Sequence, residues 1–276
     1  SIFCNSGLPC QTAVPIGKLS GVNVICHFHH PAPKRYFYLW MVKFATKLIF
    51  PSNYTKSVVH QKCGRDGDVV YNAVDLTTRY TPPTEKDPSY RRELNIDENA
   101  VVIGQVGALV PHKRPALLIK SFAKAKTKFP NIHLVIVGGG DLYSELNNLV
   151  HSLKLESSIT LTAYVDDVLP YLQHVIDINV LASNEEGLGI SVIEAAGCGL
   201  PSIVTDCTGL AEVVDHEVTG LKFSPNDDEA LTSGIVTLLA NPGLQAKYGT
   251  TARAEAIKKF DLKEYKAKIV SAVTEQ

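Results

Sequence analysis

The hydrophobic and polar positions of the second two thirds of the chain alternate with a period that predicts βα units. From Ala100 onward, short β-branched runs are separated by amphipathic stretches, which is typical of strands and crossover helices around a parallel sheet. The runs predict strands over 101–106, 133–137, 159–162, 176–181, 202–204 and 221–223. Apolar residues three and four apart predict helices over 114–128, 142–153, 229–240, 244–259 and 262–272.

The first part of the chain has the same character in shorter elements. It predicts strands over 22–27, 48–51 and 69–71, an aromatic helix over 34–47, and a strand-like run at the start, about four strands in all. Pro82, Pro83 and Pro88 lie among charged residues, a composition that resists helix and indicates a linker. We therefore expect an α/β protein of two Rossmann-like domains with parallel sheets, divided near residue 88.

Composition changes this picture through the placement of charge. The formal net charge is −1, which gives no reason to expect a nucleic-acid partner, yet residues 1–65 hold eight basic residues and no acidic one. No run approaches the 18 apolar residues of a membrane-spanning helix. The six cysteines form no C-x-x-C pair, which favours free thiols in a reducing, cytoplasmic compartment. The only methionine is Met41, and we expect a truncated first domain.

The densest candidate motif is the stretch 183–197, SNEEGLGISVIEAAG, which follows a predicted strand and opens a helix. Backbone amides at Gly187 and Gly189 would then face an approaching ligand, and a helix N-terminus attracts anions. Glu186 and Glu194 are eight apart, so on one helix they would share a face. Spacing alone leaves open that they are two solvated glutamates.

Two further clusters invite other chemistry. Gly138-Gly139-Gly140-Asp141 follows a predicted strand, but it lacks the G-x-G-x-x-G spacing of a dinucleotide site, so a tight strand-to-helix turn is favoured over NAD binding. His27, His29 and His30 end a predicted strand without an acidic partner nearby, which argues against a metal site. We expect no metal and no cofactor.

Taken in order, these motifs carry a resemblance. The stretch from Glu186 to Pro201 resembles the E-x7-E signature of retaining family 4 glycosyltransferases, the glycosyl transferases group 1, which have the GT-B fold. The stretches YNAVD at 71–75, VGALVPHK at 106–113, LVIVGGG at 134–140, GLAEVV at 209–214 and VTGL at 218–221 resemble further family motifs in the same order.

The resemblance implies domains over 1–88 and 89–260, acceptor-side and donor-side, and a C-terminal helix over 261–276 returning towards the first. It implies that Glu194 accepts hydrogen bonds from the ribose of a nucleotide-sugar donor, and that His29, Glu186 and Lys113 act at the reacting sugar and diphosphate. Donor-binding positions implied beside them are Ala108, Arg114, Gly138, Gly139, Ala163, Tyr164, Val165, Gly187, Leu188, Gly189 and Ile190. The family usually has arginine where Ala108 stands, and Arg114 is our candidate substitute.

The implied function is the retaining transfer of a sugar from a nucleotide-diphosphate sugar to a hydroxyl of a glycan or lipid-linked acceptor, as in polysaccharide synthesis. Three alternatives stay open: a nucleotide-sugar epimerase, a phosphorylase, and the nucleotide-sugar-binding half of a split or truncated enzyme. The aromatic, basic segment 34–47 fits an anionic membrane surface as well as it fits a helix packed under the sheet. A peripheral position at the cytoplasmic face of a membrane is therefore a further expectation.

Overall fold

The computed structural model describes residues 1–274, so the last two residues of the expected C-terminal segment lie outside the described part. Two separate parallel sheets form, one of four strands and one of six, which confirms the α/β class. The first sheet has the order β1-β2-β3-β4. Its strands are β1 (Ile2–Cys4), β2 (Val24–His27), β3 (Lys47–Phe50) and β4 (Asp68–Val69), and its helices are α1 (Cys10–Ser20), α2 (Lys34–Leu39) and α3 (Asn53–Cys63).

The second sheet has the order β10-β9-β8-β5-β6-β7, with every pair parallel. Its strands are β5 (Val101–Val106), β6 (Ile132–Val137), β7 (Ile159–Leu161), β8 (Ile178–Leu181), β9 (Ser202–Thr205) and β10 (Gly220–Phe223). The helices in this part of the sequence are α4 (Ser89–Glu93), α5 (Pro115–Lys126), α6 (Tyr143–Ser152), α7 (Ile190–Gly197), α8 (Asp228–Ala240), α9 (Pro242–Lys259) and α10 (Leu262–Thr274).

The strand order of the second sheet fixes where its ligand site can form. From β5 the chain builds outward through β6 and β7 on one side, and then returns to build β8, β9 and β10 on the other. The loops that follow β5 and β8 therefore diverge from adjacent strands. Such a switch point opens a crevice at the carboxyl ends of the strands, where open α/β sheets bind their ligands.

Each sheet is covered on both faces. Helices α1, α2 and α3 lie over the face of the first sheet that carries Val24, Cys26 and Phe50, while α10 packs its Tyr265, Ile269 and Ala272 against Ile25 and Ile49 on the other. The C-terminal helix thus lies on the first sheet, although it follows the second in sequence. Residue 88 as the domain boundary stays a prediction.

The predicted helix over 34–47 is wrong in its second half. Helix α2 ends at Leu39, Met41 adopts a left-handed conformation with φ of 53°, a short 3₁₀ helix spans Val42–Phe44, and Lys47 already belongs to β3. Pairing of Lys47 with Ile25 adds a residue to the sheet, and this long-range hydrogen bonding overrides the local helical pattern.

Helices α1 and α3 were not predicted. Proline lies inside α1 at Pro15, which weakens any local helix signal. Helix α3 does carry a start signal, because the Ser52 side chain accepts a hydrogen bond from the Thr55 amide as an N-cap. Its apolar face is narrow, since only Thr55 and Val59 are buried.

Candidate active site

A cleft of about 610 Å³ opens at the switch point of the second sheet and is closed from the other side by the end of β2. Lys113 follows β5, residues 186–191 follow β8, and His29 and His30 come from the first domain. Its polar lining side chains are His29, His30, Asn72, Lys113, Glu186, Ser191 and Glu194. The structure therefore brings together in one cleft four residues that lie in separate motifs of the sequence: His29, Lys113, Glu186 and Glu194.

Lys113 and Glu186 form an ion pair at the bottom of this cleft. The Lys113 ammonium lies 2.7 Å from Glu186 Oε1, and both side chains are about 15% exposed. The Ser183 hydroxyl donates to the same carboxylate oxygen at 3.0 Å. Gly107 leaves room for this arrangement, because a Cβ there would press within 3.1 Å of the ammonium. A cation is thus held, nearly buried, in the lining of the cleft.

The glycine turn between β8 and α7 presents backbone amides to the cleft. Gly189 precedes α7 with φ of 94°, a left-handed conformation that favours glycine. Helix α7 begins only at Ile190, so the expectation that Glu186 and Glu194 share one helix is wrong. Glu186 lies before the turn and Glu194 within the helix, and the turn, rather than helical periodicity, brings both carboxylates to the cleft.

Glu194 lies within α7 and is half-buried. Burial raises the pKa of its carboxyl, while a hydrogen bond from Tyr80 and the charge of Arg79 oppose that shift. Burial and the Glu194 carboxylate together raise the pKa of Tyr80 to about 12, so the phenol stays a donor at neutral pH. A carboxylate with one oxygen engaged can still accept hydrogen bonds from a sugar diol.

His29 reaches the cleft from the first domain with its ring fixed. Its Nε2 lies 2.9 Å from Asn5 Oδ1, and its ring centroid lies 4.5 Å from that of His27. Burial lowers the pKa of His29, and it lowers the pKa of His27, which is fully buried, to about 4. Lowering the pKa favours the neutral ring, and because its Nε2–H donates to Asn5 Oδ1, its Nδ1 is left as a hydrogen-bond acceptor.

Arg114 lies apart from the cleft, although Lys113 precedes it directly. Arg114 adopts φ of 50° between the 3₁₀ helix at Pro111–Lys113 and α5, and this turn sends its guanidinium towards α8. There it donates to the Pro225 carbonyl at 3.1 Å and pairs with Asp228. As a second phosphate-binding cation Arg114 stays a prediction, and these contacts would have to break first. Ala108 is exposed at the end of β5.

The remaining predicted donor residues form a shelf beside the cleft. Gly138 and Ala163 pair through an isolated antiparallel bridge, and a Cβ on Gly139 would lie 3.1 Å from the Tyr164 amide. Ala163 has φ of 59°, and Tyr164 is 79% exposed. Val165 packs against the core, and Ile190 lines the cleft. Gly138, Gly139, Ala163 and Tyr164 thus lie together at the ends of β6 and β7, and their contact with a donor stays a prediction.

Polar contacts that the sequence motifs do not predict join the two domains. The Ser52 hydroxyl donates to the Gly187 carbonyl at 2.5 Å, and Thr55 approaches it at 3.3 Å. The Glu212 carboxylate accepts from the amides of Asn53 and Tyr54 at 3.0 and 2.8 Å, and from the Tyr71 hydroxyl at 2.9 Å. Ser52 is a residue type that the sequence marks as a helix cap, but no local pattern indicates its contact with Gly187 across the cleft.

Two carboxylates that lie close together in the sequence, Asp66 and Asp68, are each engaged in an ion pair. Asp66 pairs with Lys56 at 3.1 Å and Asp68 with Lys47 at 3.0 Å. Within residues 1–274 no group of three or more histidine, cysteine or acidic side chains is placed to hold a metal ion. Over the same residues, no helix is long and apolar enough to cross a membrane.

Comparison with known proteins places the chain in a family. The family model described as glycosyl transferases group 1 matches residues 86–255, more than half of the chain. The chain therefore belongs to this family. The matched range contains both glutamates, Lys113 and all of the second sheet.

Relatives and solved structures extend the match. A UDP-Gal:alpha-D-GlcNAc-diphosphoundecaprenol alpha-1,3-galactosyltransferase of Escherichia coli is 28% identical over 79% of this chain and 61% of its own. A D-inositol 3-phosphate glycosyltransferase of Salinispora arenicola is 30% identical over 68% and 45%. The chain spans about half the length of curated relatives that it matches.

Solved structures show the fold. Anabaena Alr3699/HepE in complex with UDP superimposes with a TM-score of 0.91 at 21% identity, covering 100% of this chain and 78% of that one. Staphylococcus aureus TarM gives 0.78 at 18% identity, covering 92% and 51%. The fold is GT-B, as the resemblance implied.

Proposed function

We propose that this protein is a retaining glycosyltransferase that moves a sugar from a nucleotide-diphosphate sugar to a hydroxyl acceptor. One observation carries the proposal. Lys113, Glu186, Glu194 and the amides before α7, all in the second domain, share a single cleft with His29 of the first. Similar structures bind UDP and UDP-glucose, and a relative uses a diphosphoundecaprenol-linked acceptor by its name, which supports this class of substrates.

The chemistry follows from where charge develops. Loss of a sugar from a nucleoside diphosphate leaves negative charge on the departing phosphate, and a cation plus a helix N-terminus stabilises that charge as it forms. Lys113 supplies the cation, and its partner Glu186 is displaced towards the donor sugar when the diphosphate takes its place. Attack from the same face retains the anomeric configuration, and the departing phosphate accepts the proton of the acceptor hydroxyl.

Nucleotide binding is the first test. A ligand at 100 times its dissociation constant adds about 2.7 kcal/mol to stability, so UDP-, GDP- and ADP-sugars are screened by thermal shift. We expect one base to raise the melting temperature clearly. Glu194→Gln should weaken that nucleotide about tenfold, because a neutral amide accepts ribose hydrogen bonds less strongly. Glu185→Gln, exposed in the same loop, is the matched control. No response to any nucleotide would contradict the proposal.

Transfer is the second test, with the bound nucleotide-sugar and a set of glycan and lipid-linked hydroxyl acceptors. Nuclear magnetic resonance of the product should show the anomeric configuration of the donor. Binding without transfer would favour the second candidate function, a nucleotide-sugar-binding half that is inactive alone. Release of a different free sugar from the donor without an acceptor would favour an epimerase. Release of sugar 1-phosphate from a glycan and inorganic phosphate would favour a glycogen-type phosphorylase.

A membrane surface is the proposed partner of the segment 34–47. Phe37 is buried and Trp40 is half-buried, so these rings belong to the core. Tyr38, Leu39 and Phe44 are 60%, 61% and 49% exposed, and the Lys18 ammonium lies 3.9 Å from the centroid of the Phe44 ring. Apolar groups framed by cations, in a region without acidic residues up to Arg65, fit an anionic lipid surface at the cytoplasmic face.

Vesicle sedimentation tests this surface. The protein should bind phosphatidylglycerol vesicles in low salt and be released from them at high salt, with little binding to phosphatidylcholine. The double variant Leu39→Ser and Phe44→Ser should lose binding. Val270→Ser, which removes an exposed valine of α10, should retain it. Equal binding by both variants would argue against this partner.

A further inference from the structure

The peptide between Gly187 and Leu188 is held from the opposite domain. Ser52 and Thr55, both fully buried at the start of α3, direct their hydroxyls at the Gly187 carbonyl oxygen, at 2.5 and 3.3 Å. Gly187 also approaches the first domain so closely that a Cβ on it would lie 1.9 Å from the His29 carbonyl oxygen. The first domain therefore holds the main chain of the glycine turn between β8 and α7 through hydrogen bonds and close packing.

These contacts set the direction of the next backbone amide, that of Leu188. A trans peptide is planar, so its N–H points away from its C=O, and no cis peptide occurs among the described residues. With the Gly187 oxygen turned towards α3, the Leu188 N–H points away from it. Leu188 is 2% exposed and lines the cleft, and within residues 1–274 its amide donates to no protein acceptor. A buried amide without an acceptor is costly unless a ligand accepts from it.

The hydrogens at this contact can be assigned. The Thr55 amide donates to Ser52 Oγ at 3.1 Å, and for the single Ser52 hydrogen the Gly187 oxygen at 2.5 Å is a closer acceptor than Thr55 Oγ1 at 3.0 Å. The Thr55 hydroxyl lies 3.0 Å from Ser52 Oγ and can donate to it or to the same carbonyl. Ser52 therefore both begins α3 and fixes a peptide of the other domain.

We propose that Ser52, supported by Thr55, is a positioning residue that builds the anion-binding amide at Leu188 when the domains close. The inference rests on the proposed function, because it assigns that amide to the donor's diphosphate or sugar. In an open form the Gly187 carbonyl loses its donor and the peptide is free to turn. Domain closure and assembly of the donor site are then one event.

The experiment compares variants of the whole protein in donor binding and in transfer. Ser52→Ala should lower kcat about tenfold while changing the donor KM much less, since the lost interaction forms in the closed, reacting complex. Ser52→Thr, which keeps the hydroxyl, should recover most of kcat. Thr55→Val, nearly equal in volume, should lower kcat by a smaller factor, and Thr55→Ser should not.

Loss of the helix cap needs its own control. Asp227 caps α8 in the same way, accepting from the Ala230 amide at 3.0 Å, and lies outside the cleft. Asp227→Ala should therefore lower the melting temperature as Ser52→Ala does and leave kcat unchanged. Hydrogen exchange at the Leu188 amide, measured with bound UDP-sugar, should be faster in Ser52→Ala than in Asp227→Ala.

The outcomes separate the two proposals. If wild-type protein binds no nucleotide, the proposed function fails. If wild type binds and transfers but Ser52→Ala retains its kcat and its Leu188 protection, the function stands and the positioning role is overturned. A kcat loss in Asp227→Ala equal to that in Ser52→Ala would also overturn it, because capping alone would then explain the effect.

Discussion

The two domains contribute to the cleft in different ways. The second domain supplies charge, with Lys113 and Glu186 paired at 2.7 Å and Glu194 held by Tyr80. The first supplies neutral groups: the fixed ring of His29, and the hydroxyl of Ser52 that holds the Gly187 carbonyl of the cleft lining. This is the reverse of the sequence-wide balance, in which the first 65 residues are purely basic.

The difference shows that net charge and site charge are separate properties. Basic residues of the first domain lie on its surface, where Lys47, Lys56 and Arg65 pair with Asp68, Asp66 and main-chain carbonyls. Solvent and salt screen the electrostatic interactions of such exposed charges, whereas those of a nearly buried ion pair are screened much less. We infer that the second domain binds the anionic donor and the first orients it. Three variants, one in each domain and one between them, test that division.

The largest effect should come from Lys113. Lys113→Ala removes the cation for the departing phosphate and leaves Glu186 unpaired and nearly buried, so kcat/KM should fall about 10²- to 10³-fold. Steady-state transfer rates measure it. The matched control is Lys120→Ala, which removes an exposed lysine of α5. A loss below threefold would break the assignment of charge to the second domain.

An intermediate effect is expected at Glu212, which joins the domains. Its carboxylate accepts four hydrogen bonds from Asn53, Tyr54 and Tyr71, two of them from amides at the start of α3. Glu212→Ala should lower the free energy of unfolding by about 2 to 3 kcal/mol and increase the radius of gyration. Urea titration and small-angle scattering measure these. Glu229→Ala, which breaks the surface pair with Lys124, should change neither.

The smallest effect should come from His27, in the first domain. Burial holds its pKa at about 4 in the folded state against about 6.5 unfolded, so the unfolded chain binds the proton more readily between these values. Above pH 6.5 His27 is neutral in both states and does not reduce the free energy of unfolding. As the pH falls from 6.5 towards 4, the unfolded chain takes up the proton first and the free energy of unfolding decreases. Between pH 7.5 and 5 this amounts to about 2 kcal/mol.

His27→Leu should remove that loss, because neither ring nitrogen has a hydrogen-bond partner in residues 1–274 and an apolar side chain leaves nothing unsatisfied. Urea midpoints at pH 7.5 and 5 give the difference. His60→Leu, at an exposed position of α3, should keep the wild-type pH dependence. An unchanged slope in His27→Leu would show that other groups control acid stability.

The sequence carried most of the second domain. Its predicted strands match β5 to β10 within two residues at either end, because buried β-branched runs separated by amphipathic helices are a strong local signal. It also gave the motif residues of the cleft. It failed where local and tertiary preferences disagree: at Met41, where the chain turns left-handed, and at α1, which contains Pro15.

By itself, then, the sequence determined the α/β class, the succession of strands along the chain and the motif residues that line the cleft, since each depends on periodicity or composition over a few residues. Only the tertiary structure decided that Arg114 turns to Asp228 and that Glu186 lies outside α7. It also decided that Ser52 and Glu212 join the two domains, through hydrogen bonds to residues more than 130 positions away in the sequence. These depend on backbone direction at single turns and on contacts across the cleft, and neither leaves a pattern in the chain.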